Sequence, residues 1–387
     1  MTAVLSPVSG RTLALSILIG SCALLVLGVH PVLLGALVQE GRLADAQVGN
    51  LVTIEMLAIV PGSLAGIGLL RRIGARFIAV GAGLAMGGIN LFLVGQSGMT
   101  MLAMTRAVAG FSEGVLVAIA LVAISRVARV ERASAIFLAV QTLMQAIVAA
   151  TLPAVTIAGS RVDAALAALA IAGAVAALAA LALPAELRPT EPDSERGALT
   201  PASLAALSCA GLFLGAIVSV WGYFGLWLIH YGYPPTFEGT AVSLCLVAQV
   251  VGALAAARFG ERLPSRQTII GCAIVGAGLV GAFYLARGSA GAIIAVSLAF
   301  GFVWLFTLPF FAGWLIEIDP ARRAVLYLTA FQLGGAALLP SLAGIAVGAW
   351  SINAALMFAG CAFLLLAMTA SLSTRTGAVP RTETAND

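Results

Sequence analysis

Long apolar runs of helical length alternate with short polar segments along the whole chain. A helix needs about 20 residues to cross the hydrocarbon of a bilayer, so each run counts as one predicted span. The twelve spans cover residues 12–39, 46–70, 74–95, 98–125, 133–157, 162–183, 201–230, 237–257, 267–286, 289–316, 323–348 and 350–372. This pattern predicts an all-α polytopic membrane protein with twelve transmembrane helices.

One long polar segment divides the spans into two sets of six. Residues 184–200, PAELRPTEPDSERGALT, contain three prolines and six charged residues. We therefore predict an N-terminal six-helix bundle over residues 1–183, a cytoplasmic linker over 184–200 and a C-terminal six-helix bundle over 201–373. Residues 374–387 are predicted to form a cytoplasmic tail.

The composition supports a membrane protein and excludes several other classes. The chain is 61% hydrophobic and 9% charged, whereas soluble domains have about 45–50% apolar and about 25% charged residues. The basic residues are all arginines, scattered between apolar runs as loop anchors, so we expect no nucleic-acid partner. The five cysteines have neither CxxC pairing nor a histidine at ligand spacing, so we expect no metal and no cofactor.

The arginines also predict the orientation, because positively charged loops resist translocation across the membrane. If the N-terminus is cytoplasmic, sixteen of the twenty arginines lie in cytoplasmic segments. Arg42, Arg161 and Arg287 then lie outside, and Arg106 lies within a span. We expect a multi-pass protein of the inner membrane with both termini in the cytoplasm.

Two similar motifs suggest an internal repeat. GIGLLRRIGAR (66–76) follows the second span, and GALAAARFGER (252–262) follows the eighth. Both contain R-x-G-x-R with a glycine six residues before the first arginine, at an offset of 186 residues. Such repeats are common in transporters. The matched residues are Gly66, Arg72, Gly74 and Arg76 in the first motif, and Gly252, Arg258, Gly260 and Arg262 in the second.

With these features the chain resembles the major facilitator superfamily, whose twelve helices form two pseudo-symmetric six-helix bundles around a central site. The family signature G-x-x-x-D-R-x-G-R-R is kept at Arg72, Gly74 and Arg76, but position 71 is arginine where the family has aspartate. The resemblance implies a cytoplasmic gate formed by the two motifs. Its usual carboxylate is replaced, and Glu261 or Asp319 could substitute.

A second resemblance lies in the fourth span, MTRAVAGFSEGVL (104–116). Arg106, Gly110 and Gly114 match the family pattern R-x-x-x-G-x-x-x-G, whose arginine is associated with proton coupling. The proline-glycine motif that marks many drug antiporters is absent from the fifth span, which favours uptake. In the family the first, fourth, seventh and tenth helices line the cavity, and the third, sixth, ninth and twelfth face lipid.

Charged residues inside the spans are functional candidates, because each costs about 2.5–3.5 kcal/mol on insertion scales. Arg106 and Glu113 are seven residues apart, which places both on one helical face with about 10.5 Å between their backbones. They could pair directly, pair through a water, or merely lock helices together, and Glu55 is an alternative partner for Arg106. We hypothesise that Glu113 or Glu55 carries a proton and that Arg106 tunes it.

Aromatic residues concentrate in the seventh and tenth spans. In the tenth span they recur on one continuous helical face, and an offset of 191 residues aligns Gly110 with Gly301 and Glu113 with Trp304. A protonatable wall opposite an aromatic wall suits a small organic substrate. The predicted substrate-binding residues are His30, Gln141, Gln145, Trp221, Tyr223, Trp227, Phe300, Trp304, Thr307 and Phe311, although the two glutamines could instead hold helices together.

The predicted function is proton-coupled secondary transport of a small organic solute, aromatic or amphiphilic, by alternating access. The expected partners are that solute, protons and the lipid bilayer, and we expect a monomer. The alternative is efflux of drugs or toxic compounds by proton antiport. The sequence offers neither a nucleophile with a base nor a metal cluster, so we do not expect an enzyme.

Overall fold

The computed structural model describes residues 8–127, 129–184, 187, 199–320 and 323–373, except for the side chains of residues 131 and 261. Most of the predicted linker and all of the predicted tail lie outside this part of the chain. The helices are α1 (Gly10–Ala23), α2 (Leu25–Gln39), α3 (Val48–Leu70), α4 (Ala75–Phe92), α5 (Met99–Ser125), α6 (Val130–Thr151), α7 (Arg161–Leu181), α8 (Pro201–His230), α9 (Pro235–Phe259), α10 (Ser265–Ala286), α11 (Ala290–Ile318), α12 (Leu328–Ala349) and α13 (Asn353–Leu372).

These helices confirm the twelve predicted spans. Twelve segments of the described chain are long and apolar enough to cross a membrane. The first of them, Gly10–Gln39, consists of α1 and α2, which are separated at Leu24. Within the described residues the only β-type pairing is one isolated bridge between Ile157 and Ser160, so the predicted all-α class is correct.

The helices form two bundles with the same packing pattern. In the first half, α1 to α7, α3 packs on α5 and α4 packs on α7. In the second half, α8 to α13, α9 packs on α11 and α10 packs on α13. The predicted pair of pseudo-symmetric six-span bundles is thereby confirmed. We name the two ends of the molecule after the first span, which begins at the Gly10 end and finishes at the Gln39 end.

Glycines allow the closest helix contacts and reveal the register of the repeat. In the first half Gly62 packs on the carbonyl of Phe111, and Gly110 packs on the carbonyl of Glu55. In the second half Gly252 packs on the carbonyl of Phe302, and Gly301 packs on the carbonyl of Cys245. The second span therefore matches the eighth at an offset of 190 residues, while the fourth matches the tenth at the predicted 191.

The offset of 186 residues inferred from the arginine motifs is wrong for these helices. Gly74 is the N-cap of α4, whereas Gly260 follows α9 and begins a short 3₁₀ helix, and the N-cap of α10 is Pro264. The two offsets differ by four residues, which is close to one helical turn of 3.6 residues. Small residues that recur along a helix face can match in either register, so the motif alone could not choose between them.

We expect Gly62→Ala to lower the free energy of unfolding by about 1–3 kcal/mol, the usual effect of overpacking. A Cβ at residue 62 would fall on the backbone of Phe111, which cannot rotate away. Gly81→Ala is the matched control, because residue 81 is an exposed helical glycine with no neighbour within 4 Å. Thermal denaturation of both purified variants in detergent measures the effect, and equal melting temperatures would contradict it.

The two halves contact each other at the Gln39 end. Tyr223 Oη accepts a hydrogen bond from the backbone N–H of Gly49 at 3.0 Å, and Ser341 Oγ lies 2.8 Å from Thr53 Oγ1. Gly239 packs on the carbonyl of Ala149 in the first half. In the described part of the chain, the side-chain hydrogen bonds and the ion pair that join the two halves all lie in the part of the molecule between the middle of the membrane and the Gln39 end. The molecule is therefore closed at the Gln39 end.

Candidate functional site

Four polar side chains from four different helices meet inside the first half. Arg106 Nη1 donates a hydrogen bond to Glu55 Oε1 at 3.1 Å, and His30 Nε2 lies 2.9 Å from Glu55 Oε2. Arg106 Nη2 donates to Asn90 Oδ1. We call His30, Glu55, Asn90 and Arg106 the charged cluster. It connects α2, α3, α4 and α5.

The charged cluster is buried. None of its four residues is more than 2% exposed. Glu55 and Arg106 each lie seven residues from the start of their helices at the Gln39 end, about 10 Å into the span. A buried ion pair is retained only when its desolvation is offset by mutual attraction and further hydrogen bonds. His30 and Asn90 supply those further bonds.

Glu113 lies deeper in the same half and differs from Glu55. It is fully buried, and neither carboxylate oxygen has a hydrogen-bond partner. It is near enough to Glu55 and Arg106 to interact with both electrostatically. The direct pair between Arg106 and Glu113 that the spacing allowed is not formed, because the Arg106 guanidinium turns toward Glu55 and Asn90 instead.

The first span is interrupted at Leu24 and contains Pro31 seven residues further on, and side chains bind a backbone carbonyl near each of these positions. Pro31 has no N–H, so the carbonyl of Leu27 lacks its usual helical donor. Trp221 Nε1 of the second half donates to that carbonyl at 2.6 Å, and Gln145 Nε2 donates to the carbonyl of Leu24 at 2.6 Å. Each half therefore supplies one side chain that binds the backbone of the first span.

The predicted substrate-binding residues do not form one open surface. His30 belongs to the charged cluster, Gln145 binds the carbonyl of Leu24, and Gln141 is half-buried with an unpartnered Oε1. Trp304 is half-buried and stands edge-on to Trp221, with ring centroids 5.5 Å apart. The remaining five are buried in contacts within the protein, namely Tyr223 with Gly49, Trp227 with Asn353, Phe300 with Phe283, Thr307 with the carbonyl of Val303, and Phe311 with Phe213.

Internal symmetry relates the charged cluster to an aromatic region of the second half. The first and seventh spans begin at Gly10 and Pro201 and finish at Gln39 and His230, an offset of 191 residues at both ends. With the offsets that the glycine contacts give, the counterparts are Trp221 for His30, Cys245 for Glu55, Ser297 for Arg106 and Trp304 for Glu113. The titratable site of one half is therefore replaced by aromatic and small residues in the other.

Three of these counterparts line a narrow gap inside the second half. The gap lies between Val220, Trp221, Phe224, Cys245, Phe283, Ser297 and Phe300. Ser297 is fully buried, and its hydroxyl has no hydrogen-bond partner among the described residues. The gap and the charged cluster therefore occupy equivalent positions in the two repeats, but the gap is lined by aromatic and small residues where the cluster has charged and polar ones.

The predicted gate arginines lie at the Gly10 end. Arg76 Nε donates to the carbonyl of Leu183 at 2.9 Å, within the first half. Arg72, Arg258 and Arg262 are exposed and form no ion pair with a described residue.

Asp319, one of the two suggested substitutes for the gate carboxylate, forms its contacts within the second half. It accepts a hydrogen bond from the backbone N–H of Ala324 at 3.0 Å, and this bond holds the pKa of the Asp319 carboxyl below its usual range. The side chain of Glu261 lies outside the described part.

The sequence predicts neither Asn90 as a member of this site nor the bond between His30 and Glu55. Asn90 lies in the third span, which the family resemblance places against lipid, and His30 is predicted to bind the substrate. The signal for Asn90 was a lone amide in the apolar run GGINLFLV. The described residues contain no group of three side chains suited to holding a metal ion.

Comparisons with known proteins agree with this architecture. The family model described as Major Facilitator Superfamily matches residues 16–334. The fold is similar to a crystal structure of a mutant of the nucleoside transporter NupG, with a TM-score of 0.76 and 14% identity over 95% of this chain and 100% of that one. It is also similar to a bacterial homologue of the human lysosomal transporter Spinster in an inward-facing, unoccupied conformation, with a TM-score of 0.67 and 15% identity over 95% and 98%. A comparison with curated protein sequences gives no match.

Proposed function

The chain belongs to the major facilitator superfamily of secondary transporters, and we propose that it couples the transport of a small organic solute to proton movement by alternating access. The observation that carries this proposal is the pair of buried glutamates in the first half. Glu55 has both oxygens bound in the charged cluster, whereas Glu113 has none bound. Ionisable residues inside a membrane protein are rare and costly, and they commonly mark substrate or ion pathways.

The two glutamates suit different parts of a proton cycle. The ion pair with Arg106 places a positive charge beside Glu55. Burying an ionised carboxylate without hydrogen bonds is costly, so a proton on Glu113 stabilises the closed arrangement described above. Loss of that proton to water then favours a hydrated arrangement. In this proposal Glu113 is the proton carrier, and the charged cluster determines the electrostatic potential at the Glu113 carboxyl group.

The aromatic side of the second half supports a substrate with an apolar or ring-shaped body. Trp304, the counterpart of Glu113, is the half-buried ring of this region and contacts Trp221, which reaches the first half. Aromatic faces bind rings and apolar groups well, and a few polar groups fix their orientation. We further propose that the protein is a monomer of the inner membrane, and the arginine distribution favours an orientation with both termini in the cytoplasm. The closed Gln39 end would then face outward.

Proton-driven transport can be tested in proteoliposomes. A thermal-shift screen over metabolites, aromatic acids and drugs first identifies a ligand, because a compound that binds only the folded state raises its stability. We expect uptake of that ligand to follow an imposed pH gradient in the wild type and to lose this dependence in Glu55→Gln and in Glu113→Gln. Ser112→Ala is the control, since its hydroxyl only contacts the carbonyl of Val108 in its own helix. Full gradient-driven uptake in both glutamine variants would refute proton coupling through these residues.

Drug efflux by proton antiport is the second candidate, favoured by the unpaired acid Glu113 in the first half together with the aromatic region of the second half. An acidic group attracts cationic compounds, and aromatic rings bind both cations and apolar groups. Under this alternative, expression of the wild type should raise the concentration of such compounds that inhibits growth, and Glu113→Gln should not. Uptake predicts no protection, so growth inhibition with expression on and off separates the two candidates.

A further inference from the structure

A third buried glutamate lies at the boundary between the two halves. Glu238 is in the first turn of α9 at the Gln39 end and is completely buried. Neither of its carboxylate oxygens has a hydrogen-bond partner. Its nearest cationic partner is Arg161, whose Nη1 lies 3.8 Å from Glu238 Oε2. Because Arg161 begins α7 and Glu238 lies in α9, this ion pair joins the first half to the second.

Two glycines make room for the Glu238 carboxylate. A Cβ at Gly35 of α2 would lie 3.0 Å from Glu238 Oε1, and a Cβ at Gly225 of α8 would fall on the same oxygen. The carboxylate therefore lies where α2 of the first half crosses α8 of the second. Neither helix provides it with an N–H or O–H donor, so the Arg161 guanidinium across the boundary is its ion-pair partner.

Arg161 is held in place by its own half. Its backbone N–H donates to Glu40 Oε1 at 2.8 Å, and its side chain donates to Gln39 Oε1. Beside it, Arg42 Nη1 binds Asp163 Oδ1 at 2.7 Å. These bonds fix the start of α7 against the end of α2. The guanidinium is thus presented to Glu238 by a rigid part of the first half.

We propose that the ion pair between Arg161 and Glu238 is a latch that holds the Gln39 end closed. Opening of this end separates α2 from α8, breaks the pair and exposes both groups to water. A buried carboxylate that loses its only cationic partner is strongly unfavourable, whereas the same carboxylate in water is not. The latch thus favours the closed state only while both of its charges are present. The proposal relies on the alternating-access part of the proposed function but not on proton coupling.

The latch can be tested without substrate or a pH gradient. Spin labels at Ser97→Cys and Ser351→Cys, exposed loop positions in the first and second halves at the Gln39 end, report the distance between the halves. The background carries Cys272→Ala and Cys361→Ala, because these two native cysteines are not fully buried. Distance distributions are then compared in detergent or nanodiscs for the latched protein, Arg161→Ala, Glu238→Gln and the double variant.

We expect Arg161→Ala to raise the ratio of open to closed molecules by roughly tenfold or more, because it leaves the carboxylate buried and unpaired. Glu238→Gln, which is isosteric and removes the charge, should raise the ratio less. The double variant should resemble Glu238→Gln rather than add the two effects. Arg287→Ala is the control, since that arginine binds within its own half. Unchanged distances in all latch variants, or additive effects, would overturn the proposal.

Discussion

Replacing Arg106 with leucine is expected to lower the free energy of unfolding by about 3–5 kcal/mol and to abolish transport. The change removes the positive partner from Glu55 and leaves a buried negative charge with only His30 beside it. Removal of one member of a buried ion pair typically has an effect of this size. The measurement is denaturation of the purified protein in detergent, followed by helical content, together with uptake in proteoliposomes.

Two further variants separate charge from geometry at this position. Arg106→Lys keeps the charge but loses the planar fork that reaches Glu55 and Asn90 together, so we expect an intermediate loss of stability. The double variant Glu55→Leu with Arg106→Leu removes both charges and should recover part of the stability that Arg106→Leu loses, because apolar replacement of a whole pair is often tolerated. An Arg106→Leu protein as stable as the wild type would show that the ion pair is dispensable for folding.

Glu113→Leu is expected to have the opposite effect on stability while also abolishing proton-driven uptake. The Glu113 carboxylate is buried without a hydrogen bond, and an unsatisfied buried polar group costs about 1–3 kcal/mol. Its replacement by an apolar side chain of similar size should therefore raise the melting temperature. Such a trade-off between stability and activity is expected when activity requires a buried polar group that has no hydrogen-bond partner in the fold.

Glu55→Gln provides the comparison for this prediction. Both glutamates are almost completely buried in the same half, yet only Glu55 has bound oxygens. We expect Glu55→Gln to lose stability and Glu113→Leu to gain it, with coupling lost in both. If Glu113→Leu melted below the wild type, Glu113 would have to be a structural residue, and the assignment of the proton to it would be wrong.

The fold was largely predictable because the bilayer restricts what can cross it. Every backbone polar group must be satisfied inside lipid, so length and hydropathy alone identify spanning helices. The predicted seventh span, 201–230, has the same bounds as α8 (Pro201–His230). The interruption at Leu24 was not predictable, because the side chain that binds the Leu24 carbonyl, Gln145, comes from a distant part of the chain.

The sequence predicted which charged residues belong to the candidate site better than it predicted which of them bind each other. Glu55, Arg106 and Glu113 were identified because charge inside a span is rare and costly. Their partners depend on the rotation of each helix about its axis, which the position of a residue in the sequence does not specify. That is why Arg106 binds Glu55 and Asn90 rather than the glutamate on its own helix.

The mostly aromatic face of α11, which consists of Phe300, Trp304, Thr307, Phe311 and Trp314, shows the same limit of prediction from sequence. Its members do share a face, as the spacing predicted, and most of them are buried. The spacing could not tell whether a cavity or another helix covers that face. For Phe311 the answer is Phe213 of α8, with ring centroids 5.6 Å apart, whereas Trp304 stays half-buried.

The unequal chemistry of the two equivalent sites has a consequence for how such a transporter evolves. A duplicated scaffold begins with the same residues at both positions, and here one copy has Glu55 where the other has Cys245. Under the proposed function, the energy source is encoded in one half and the choice of cargo in the other. Mutations around Cys245, Ser297 and Trp304 can then diversify the cargo while the ion-coupled half is inherited unchanged.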